Sequence, residues 1–258
     1  MKKIIGALLS AITLLCLAGC GGVRDLVLDE PVTYEITSQI SSLDIRINAA
    51  ELEIGYGETF SVVSNLKELE VEENNGTLTL KELTRAGLGN DLYEGAMLTL
   101  YVPAGTEFEK VVLFTGAGRV TVDTLSAKRL EMELGAGDGS VGSLFVTGSA
   151  GMKGGAGRIS VSGGRINGLE LEMGVGELEL TSALTGECEL ELGIGESNIT
   201  LLGSRADYAL DIEKGIGEVR VDGKPVSDFG SSGNGTAEVE IHGGIGAIYV
   251  EFKEQEKV

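Results

Sequence analysis

The side chains best suited to nucleophilic or metal chemistry are few in this sequence. It has one histidine, His242, and three cysteines, of which Cys188 alone lies far from the N-terminus. Catalysis by a Ser-His-Asp arrangement needs a positioned histidine, and a zinc site needs several His or Cys ligands. His242 alternates with Ile241 and is expected on an outer surface, and Cys188 occupies an apolar strand position. We therefore predict no catalytic residue and no cofactor.

Carboxylates, in contrast, are abundant. The chain has 40 Asp and Glu against 20 Lys and Arg, for a net charge of −20. Such a surface repels phosphate backbones, so nucleic acid is excluded as a partner. Paired carboxylates also perform glycoside hydrolysis, and a carbohydrate-active enzyme on envelope polysaccharide remains an alternative. The sequence disfavours this alternative because it has no Trp and only 5% aromatic residues to form sugar platforms.

A set of charged residues shares one position, directly after a Gly-x-Gly tripeptide. The first four alternate in sign and could form a ladder of ion pairs between neighbouring strands. The last three are all glutamates and are expected in adjacent repeats of the stack, where they should repel each other. They either splay into solvent or hold a divalent cation such as Ca²⁺, which prefers oxygen ligands. The set consists of Arg119, Asp138, Arg158, Glu177, Glu196 and Glu218, and the speculative metal ligands are Glu177, Glu196 and Glu218.

The tripeptide itself repeats with a nearly constant period. Its first glycines are 19, 20, 19, 19, 22 and 29 residues apart, and the last interval contains a Gly/Ser-rich insertion. A fixed period near 20 residues is typical of solenoids, because one unit cannot bury its own apolar face and stacked units can. The seven tripeptides begin at Gly116, Gly135, Gly155, Gly174, Gly193, Gly215 and Gly244.

Between the tripeptides, aliphatic and charged residues alternate, as in Leu169-Glu-Leu-Glu-Met173. Period-2 alternation predicts strands with one buried and one exposed face. We therefore predict an all-β fold, a single-chain β-solenoid of stacked, parallel, β-helix-like rungs of about 20 residues. A β-sandwich would not require the same tripeptide seven times, and a Ca²⁺-loaded β-roll needs an Asp that only Asp138 supplies.

The N-terminus has the pattern of an export signal. Lys2 and Lys3 precede an apolar run, and the segment Leu17-Ala-Gly-Cys20 then resembles a bacterial lipobox. This predicts a signal peptide over residues 1–19, cleavage between Gly19 and Cys20, and lipidation of Cys20, which anchors the protein to a membrane. The protein is thus expected to be exported and to face the cell surface or the periplasm.

The remaining chain divides by pattern. Residues 20–31 are predicted to be a lipidated tether, residues 32–252 a β-strand-repeat solenoid domain, and residues 253–258 a polar tail. Within the domain, residues 32–110 are less regular and residues 111–252 carry the Gly-x-Gly repeats. An Asn-Asn-Gly segment ending at Gly76 predicts a hairpin turn, because a two-residue turn needs positive φ.

Two segments resemble a known family. They are Leu98-Thr-Leu-Tyr-Val-Pro103 and Val111-Val-Leu-Phe-Thr-Gly-Ala-Gly-Arg-Val-Thr-Val122, together with the repeats that follow. They resemble the bacterial putative-adhesin β-strand-repeat family, a domain of unknown function that also occurs in exported lipoproteins. The resemblance covers roughly residues 40–250 and carries over no catalytic residue. It implies a non-catalytic, adhesin-like structural or interaction module of the cell envelope with an unknown envelope or surface ligand. A component that senses envelope stress is a further alternative.

Overall fold

The structure, a computed structural model, describes residues 28–83, 95–226 and 233–254. The predicted signal peptide, the cleavage position at Gly19 and the lipidation site at Cys20 lie outside the described residues. So does most of the predicted polar tail.

Strands form almost all of the described chain, with one 3-10 helix at Arg205–Asp207. The strands are β1 (Leu28–Glu35), β2 (Ser42–Ile47), β3 (Glu51–Gly57), β4 (Ser61–Leu66), β5 (Leu69–Asn74), β6 (Thr77–Glu82), β7 (Met97–Pro103), β8 (Phe108–Val161), β9 (Gly164–Asn167), β10 (Leu169–Thr185), β11 (Glu187–Leu202), β12 (Tyr208–Glu213), β13 (Ile216–Val221), β14 (Lys224–Pro225) and β15 (Ala237–Lys253).

The central strands stack in parallel, one solenoid turn apart, and each turn is called a rung here. β10 pairs with β11 so that Leu171 lies opposite Leu190 and Gly176 opposite Gly195. β10 pairs on its other edge with β8 in the same phase, so that Gly157 lies opposite Gly176. The predicted all-β solenoid with parallel rungs is confirmed.

The aliphatic half of each alternation forms one continuous interior. In β10, for example, Leu169, Leu171, Leu178 and Leu180 are buried, while the glutamates between them are exposed. Since neighbouring rungs place equivalent residues opposite each other, each buried side chain packs on its counterpart above and below. The interior is therefore a stack of aliphatic layers, and its stability comes from apolar burial.

The Gly-x-Gly tripeptides form the bends between the two longest strand segments of a rung and are called glycine corners here. At Gly195 the backbone has φ of +148°, and a Cβ there would lie 1.7 Å from the carbonyl oxygen of Gly176. The corners of successive rungs thus contact each other through their backbones, which leaves no room for a side chain.

At the C-terminal end the rungs are not stacked in chain order. β11 pairs with β15, and β15 in turn pairs with β12 and β13. The chain therefore leaves β11, forms the outermost rung with β12 and β13, and returns to place β15 between them. The expectation that consecutive segments stack directly on each other is wrong here. β13 ends at Val221 and β15 begins at Ala237, so residues 222–236 lie between the two strands in the chain.

At the N-terminal end, too, the spatial order of the rungs differs from their order in the chain. β2 and β3 pair on one edge with β8 and on the other with β6 and β7, which follow them in the chain. β1 and β4 add antiparallel strands at this end. The predicted hairpin is confirmed, since β5 and β6 are antiparallel around Asn75 and Gly76, both with positive φ.

β1 begins at Leu28 and so includes residues 28–31, which were assigned to the tether. Pro31 interrupts its register with β4 between Leu28 and Val32. A proline is tolerated there because β1 is an edge strand, in which one N–H of the backbone needs no partner.

Candidate interaction surfaces of the solenoid

The outer face of the strand segment before each glycine corner carries columns of charged side chains. Parallel stacking in register places equivalent outward residues of neighbouring rungs opposite each other. The column that contains the histidine, called the His242 column here, consists of Lys153, Glu172, Glu191, His242 and Glu213. Next to it lies the Glu240 column, which consists of Glu170, Glu189, Glu240 and Asp211.

His242 is surrounded by carboxylates. Its Nδ1 lies 3.0 Å from Oε2 of Glu213, and its Nε2 lies 3.6 Å from Oε1 of Glu189 and 3.9 Å from Oε2 of Glu240. The ring is 40% exposed, in agreement with the predicted surface position. The groups that face its ring nitrogens are glutamates from three different rungs, and none of them is a Ser or Cys nucleophile that the imidazole could activate.

Ion pairs offset part of the acidic charge. Nζ of Lys153 lies 2.7 Å from Oε1 of Glu172, and this hydrogen bond raises the pKa of the lysine. Arg158 pairs with Glu177 of the next rung, and that contact raises the pKa of Arg158. Both pairs are exposed, so they contribute little to stability. They do make the acidic face locally heterogeneous.

The charged ladder after the glycine corners is only partly as expected. Arg158 and Glu177 form the predicted step, whereas Arg119 pairs with Glu51 of the rung before it, at 3.4 Å. Glu196 does not neighbour Glu218, because Ala247 of β15 lies between them. The expectation of three glutamates in adjacent rungs is therefore wrong, and it failed because rung order differs from chain order.

Each of the three speculative metal ligands also has another partner. Glu177 accepts from Arg158, Glu196 accepts from Asn198, and Oε1 of Glu218 lies 2.6 Å from a guanidinium nitrogen of Arg220. Within the described residues, no three His, Cys, Asp or Glu side chains lie close enough together to hold a metal ion.

The middle residue of each glycine corner points outward and also stacks from rung to rung. In spatial order these residues are Ala117, Ala136, Ala156, Val175, Ile194, Ile245 and Ile216. The last four form what is called the aliphatic ridge here, and they are exposed by 51%, 52%, 51% and 73%. The residue pattern did not single out this ridge, although the change from alanine to isoleucine is visible in the tripeptides.

The side chain of Glu82 contributes hydrogen bonds to the corner of the rung that β2 and β3 form. The rung of β2 and β3 has Asn48 and Ala49 where later rungs have glycine corners, and Ala117 of the next rung donates to the carbonyl of Asn48. Oε2 of Glu82 accepts from the backbone N–H of Asn48 at 2.7 Å and of Ala49 at 3.2 Å. Burial raises the pKa of this carboxyl group. Its role in the corner was not anticipated.

Cys188 is buried, as its apolar strand position predicted. Its Sγ lies 3.4 Å from the backbone nitrogen of Leu169, and burial raises the pKa of the thiol. A buried thiol with a raised pKa is a poor nucleophile at neutral pH. Cys188 therefore acts as a small core residue between Leu169 and Val239, its counterparts on the neighbouring rungs.

Among the described residues, no helix has the length and hydropathy needed to cross a membrane.

The segment that contains the Gly-x-Gly repeats is also the segment that a family model matches. The sequence model of the Toastrack DUF4097 family matches residues 34–250, which include all of the glycine corners. The chain belongs to the Toastrack DUF4097 family. The Toastrack match begins inside β1 and ends inside β15, so it spans the solenoid from one end to the other. None of the curated proteins matches the chain.

Several solved structures are similar to this Toastrack chain at low identity. A putative cell adhesion protein from Clostridium sporogenes is 16% identical over 87% of this chain and 99% of its own, with a TM-score of 0.31. A putative adhesin from Bacteroides fragilis is 13% identical over 86% and 97%, with a TM-score of 0.37. A putative lipid binding protein from Parabacteroides distasonis is 15% identical over 85% and 96%, with a TM-score of 0.35. The family assignment comes from the sequence match and not from these structures.

Proposed function

We propose that this Toastrack protein is a non-catalytic, adhesin-like interaction module of the bacterial cell envelope, held to a membrane by a lipid on Cys20. The observation that carries the proposal is the combination of a lipobox-like Leu17-Ala-Gly-Cys20 segment with a solenoid whose outer faces place equivalent exposed residues of successive rungs side by side. Repetition of this kind builds an extended binding surface rather than a single reactive site.

The order of the strands supports this role. β1 lies at one end of the strand order, and β13 with β14 lies at the other. A lipid on Cys20, a few residues before β1, would keep the β1 end near the membrane. The outermost C-terminal rung would then extend away from it by about 40 Å, at about 4.8 Å per rung. The acidic columns and the aliphatic ridge would be presented to the surroundings.

The surroundings of the reactive side chains support a non-catalytic role. The ring nitrogens of His242 face oxygens of glutamates, and the buried Cys188 is shielded from solvent. A hydrolase needs an acid and a base whose environments differ. The glutamates of the His242 and Glu240 columns lie instead in nearly equivalent positions on successive rungs.

Metabolic labelling with a fatty acid tests the anchor. The wild type and Cys16→Ala should take up label and stay in the membrane fraction, because Cys16 lies inside the apolar run. Cys20→Ala should lose both properties. A Cys20→Ala chain that is still labelled and membrane-bound would show that the anchor is elsewhere.

A second experiment tests the interaction role. Chemical crosslinking on cells, followed by purification of the full chain, should capture a defined envelope component, and the captured amount should fall after Cys20→Ala. Incubation of the purified protein with cell-wall and exopolysaccharide substrates should give no products. Turnover of any of these polysaccharides would replace the proposal with the enzyme alternative.

A further inference from the structure

The aliphatic ridge has features of a binding surface that the acidic faces alone do not have. Val175, Ile194, Ile245 and Ile216 lie on consecutive rungs and are each at least half exposed. Single exposed aliphatic residues are common on protein surfaces, but a contiguous row of them marks an interaction site. On the first part of the solenoid the same position carries alanine, so the row is confined to the C-terminal rungs.

Carboxylates border the ridge on both sides. On one side lies the His242 column, with Glu172, Glu191 and Glu213, and on the other side lie Glu177, Glu196 and Glu218. The glycines that flank each ridge residue carry no side chain that could cover the aliphatic row. A partner that covers the row therefore also meets two lines of glutamates, some of which are paired with a lysine or an arginine of the chain.

We propose that the aliphatic ridge binds a cationic amphipathic polypeptide segment, which has a row of aliphatic side chains flanked by lysine or arginine. Rungs are about 4.8 Å apart and turns of an α-helix about 5.4 Å apart, so one side chain per helical turn can follow the ridge over its length. Burial of the aliphatic row supplies affinity, and the two acidic borders select the charge and orientation of the partner.

The same charges disfavour the other occupants. A second copy of this chain carries a net charge of −20, and two facing ridges would bring four acidic borders together. An anionic lipid surface would be repelled in the same way. The proposal rests on the proposed function, since it names the class of partner for the same module.

The test uses the full chain in phosphatidylcholine nanodiscs and a synthetic helix with leucine on one face and lysine on the other. The wild type should bind this peptide, and binding should weaken as salt is raised. Replacing leucine by serine, or lysine by glutamate, in the peptide should weaken binding by at least roughly tenfold, because each change removes one of the two contributions. Empty nanodiscs give the background.

The matched protein variants are the triple change Ile194→Ser, Ile245→Ser, Ile216→Ser and the control Phe145→Ser. Phe145 is 42% exposed but lies outside the ridge. The triple variant should lose affinity by roughly tenfold or more, and the control should bind like the wild type. If the triple variant does not fold, peptide binding is measured with Ile216→Ser alone. This change should leave the core intact, because Ile216 is 73% exposed on the outermost rung.

Several results would overturn the inference. They are equal binding of the serine peptide, unchanged binding by the ridge variants, binding to empty nanodiscs alone, and a dimer of the wild type that the ridge variants abolish. Fatty-acid labelling of Cys20 and capture of an envelope component are read separately. If the protein is labelled and captures an envelope component but does not bind the peptide, only this inference is wrong. If the protein is not labelled and captures no envelope component, the proposed function is wrong.

Discussion

At the scale of single residues, the glycine corners are the positions where the solenoid is least tolerant. Gly195 combines a positive φ of +148° with a backbone neighbour that a Cβ would approach to 1.7 Å. The carbonyl that blocks the Cβ belongs to Gly176 of the neighbouring rung, so it cannot move without separating the two rungs. Strain at this position therefore spreads along the stack.

We expect Gly195→Ala to destabilise the protein by about 3 kcal/mol or more, because it forces both an unfavourable backbone conformation and a steric overlap. For a chain of this size the Tm should fall by roughly 6 °C or more, measured by circular dichroism. Gly151→Ala is the matched control, since a Cβ there meets no atom within 4 Å. Equal effects of the two changes would contradict the account of the corners.

Glu82 is the second residue whose role is local and testable. Its Oε2 satisfies two backbone N–H groups of the Asn48 and Ala49 corner, while Oε1 has no hydrogen-bond partner among the described atoms. Glu82→Ala should destabilise the fold by about 1–3 kcal/mol, because it leaves buried donors unpaired. Chemical denaturation measures the loss, and Glu72→Ala on an exposed part of β5 is the control.

Glu82 also gives a prediction about pH. Burial raises its pKa above the usual 4.5, so the folded chain binds this proton more tightly than the unfolded chain. The contribution of Glu82 to stability therefore grows as the pH falls through the folded pKa, and it is complete below 4.5. Glu82→Gln mimics the protonated group. Its Tm should exceed that of the wild type at pH 7, and the difference should shrink on acidification; a difference that grows would contradict the assignment.

At the scale of elements, the alternation and the corners were predictable, whereas the order of the rungs was not. The alternation decides which side chains are buried, and it needs only the residues of one strand, as in Leu169 to Met173. The order depends on a choice between β13 and β15, because β13 begins within a Gly-Ile-Gly corner, β15 contains another, and both suit β11 as a neighbour. The longer intervals of 22 and 29 residues were the only signal.

The differences between the predicted and the observed candidate site have separate causes. Glu218 was grouped with Glu196 because the two are consecutive in the chain, yet β15 separates them. The contact of Glu82 with Asn48 joins residues 34 apart through the exchanged order of the N-terminal rungs. The exposure of the aliphatic ridge required knowledge that the corners bend with their middle residues outward.

The inserted position of β15 predicts how truncation affects the C-terminal end. β12 pairs only with β15 among the described strands, and β13 pairs with β15 and the short β14. Removal of residues 234–258 should therefore abolish the protection of amides in β12 and β13, which remain in the chain, while β10 stays protected. Hydrogen exchange measures this, and a chain that ends at residue 254 is the control. Protected amides in β12 after the larger truncation would mean that β12 and β13 stack directly on β11.

At the scale of the whole molecule, the solenoid turns sequence repetition into charge repetition. Parallel stacking in register places Glu170, Glu189, Glu240 and Asp211 on successive rungs with no lysine or arginine between them in the column. Like charges that lie directly opposite on neighbouring strands destabilise a sheet. The net charge of −20 adds a diffuse repulsion that keeps copies of the protein apart.

This repulsion should make the fold more stable in salt. Raising NaCl from about 0.01 M to about 0.15 M shortens the screening length from about 30 Å to about 8 Å, so neighbouring rungs repel each other less. The Tm should rise by a few degrees. The double variant Glu189→Gln, Glu240→Gln should melt higher than the wild type at low salt and respond less to added salt. Glu109→Gln is the control, because it removes a carboxylate that lies 2.7 Å from Nζ of Lys128 and should not raise the Tm. A wild-type Tm that stays constant or falls with salt would show that the acidic columns do not destabilise the fold. The glutamates would then lie far enough apart in solvent that their charges do not repel each other measurably.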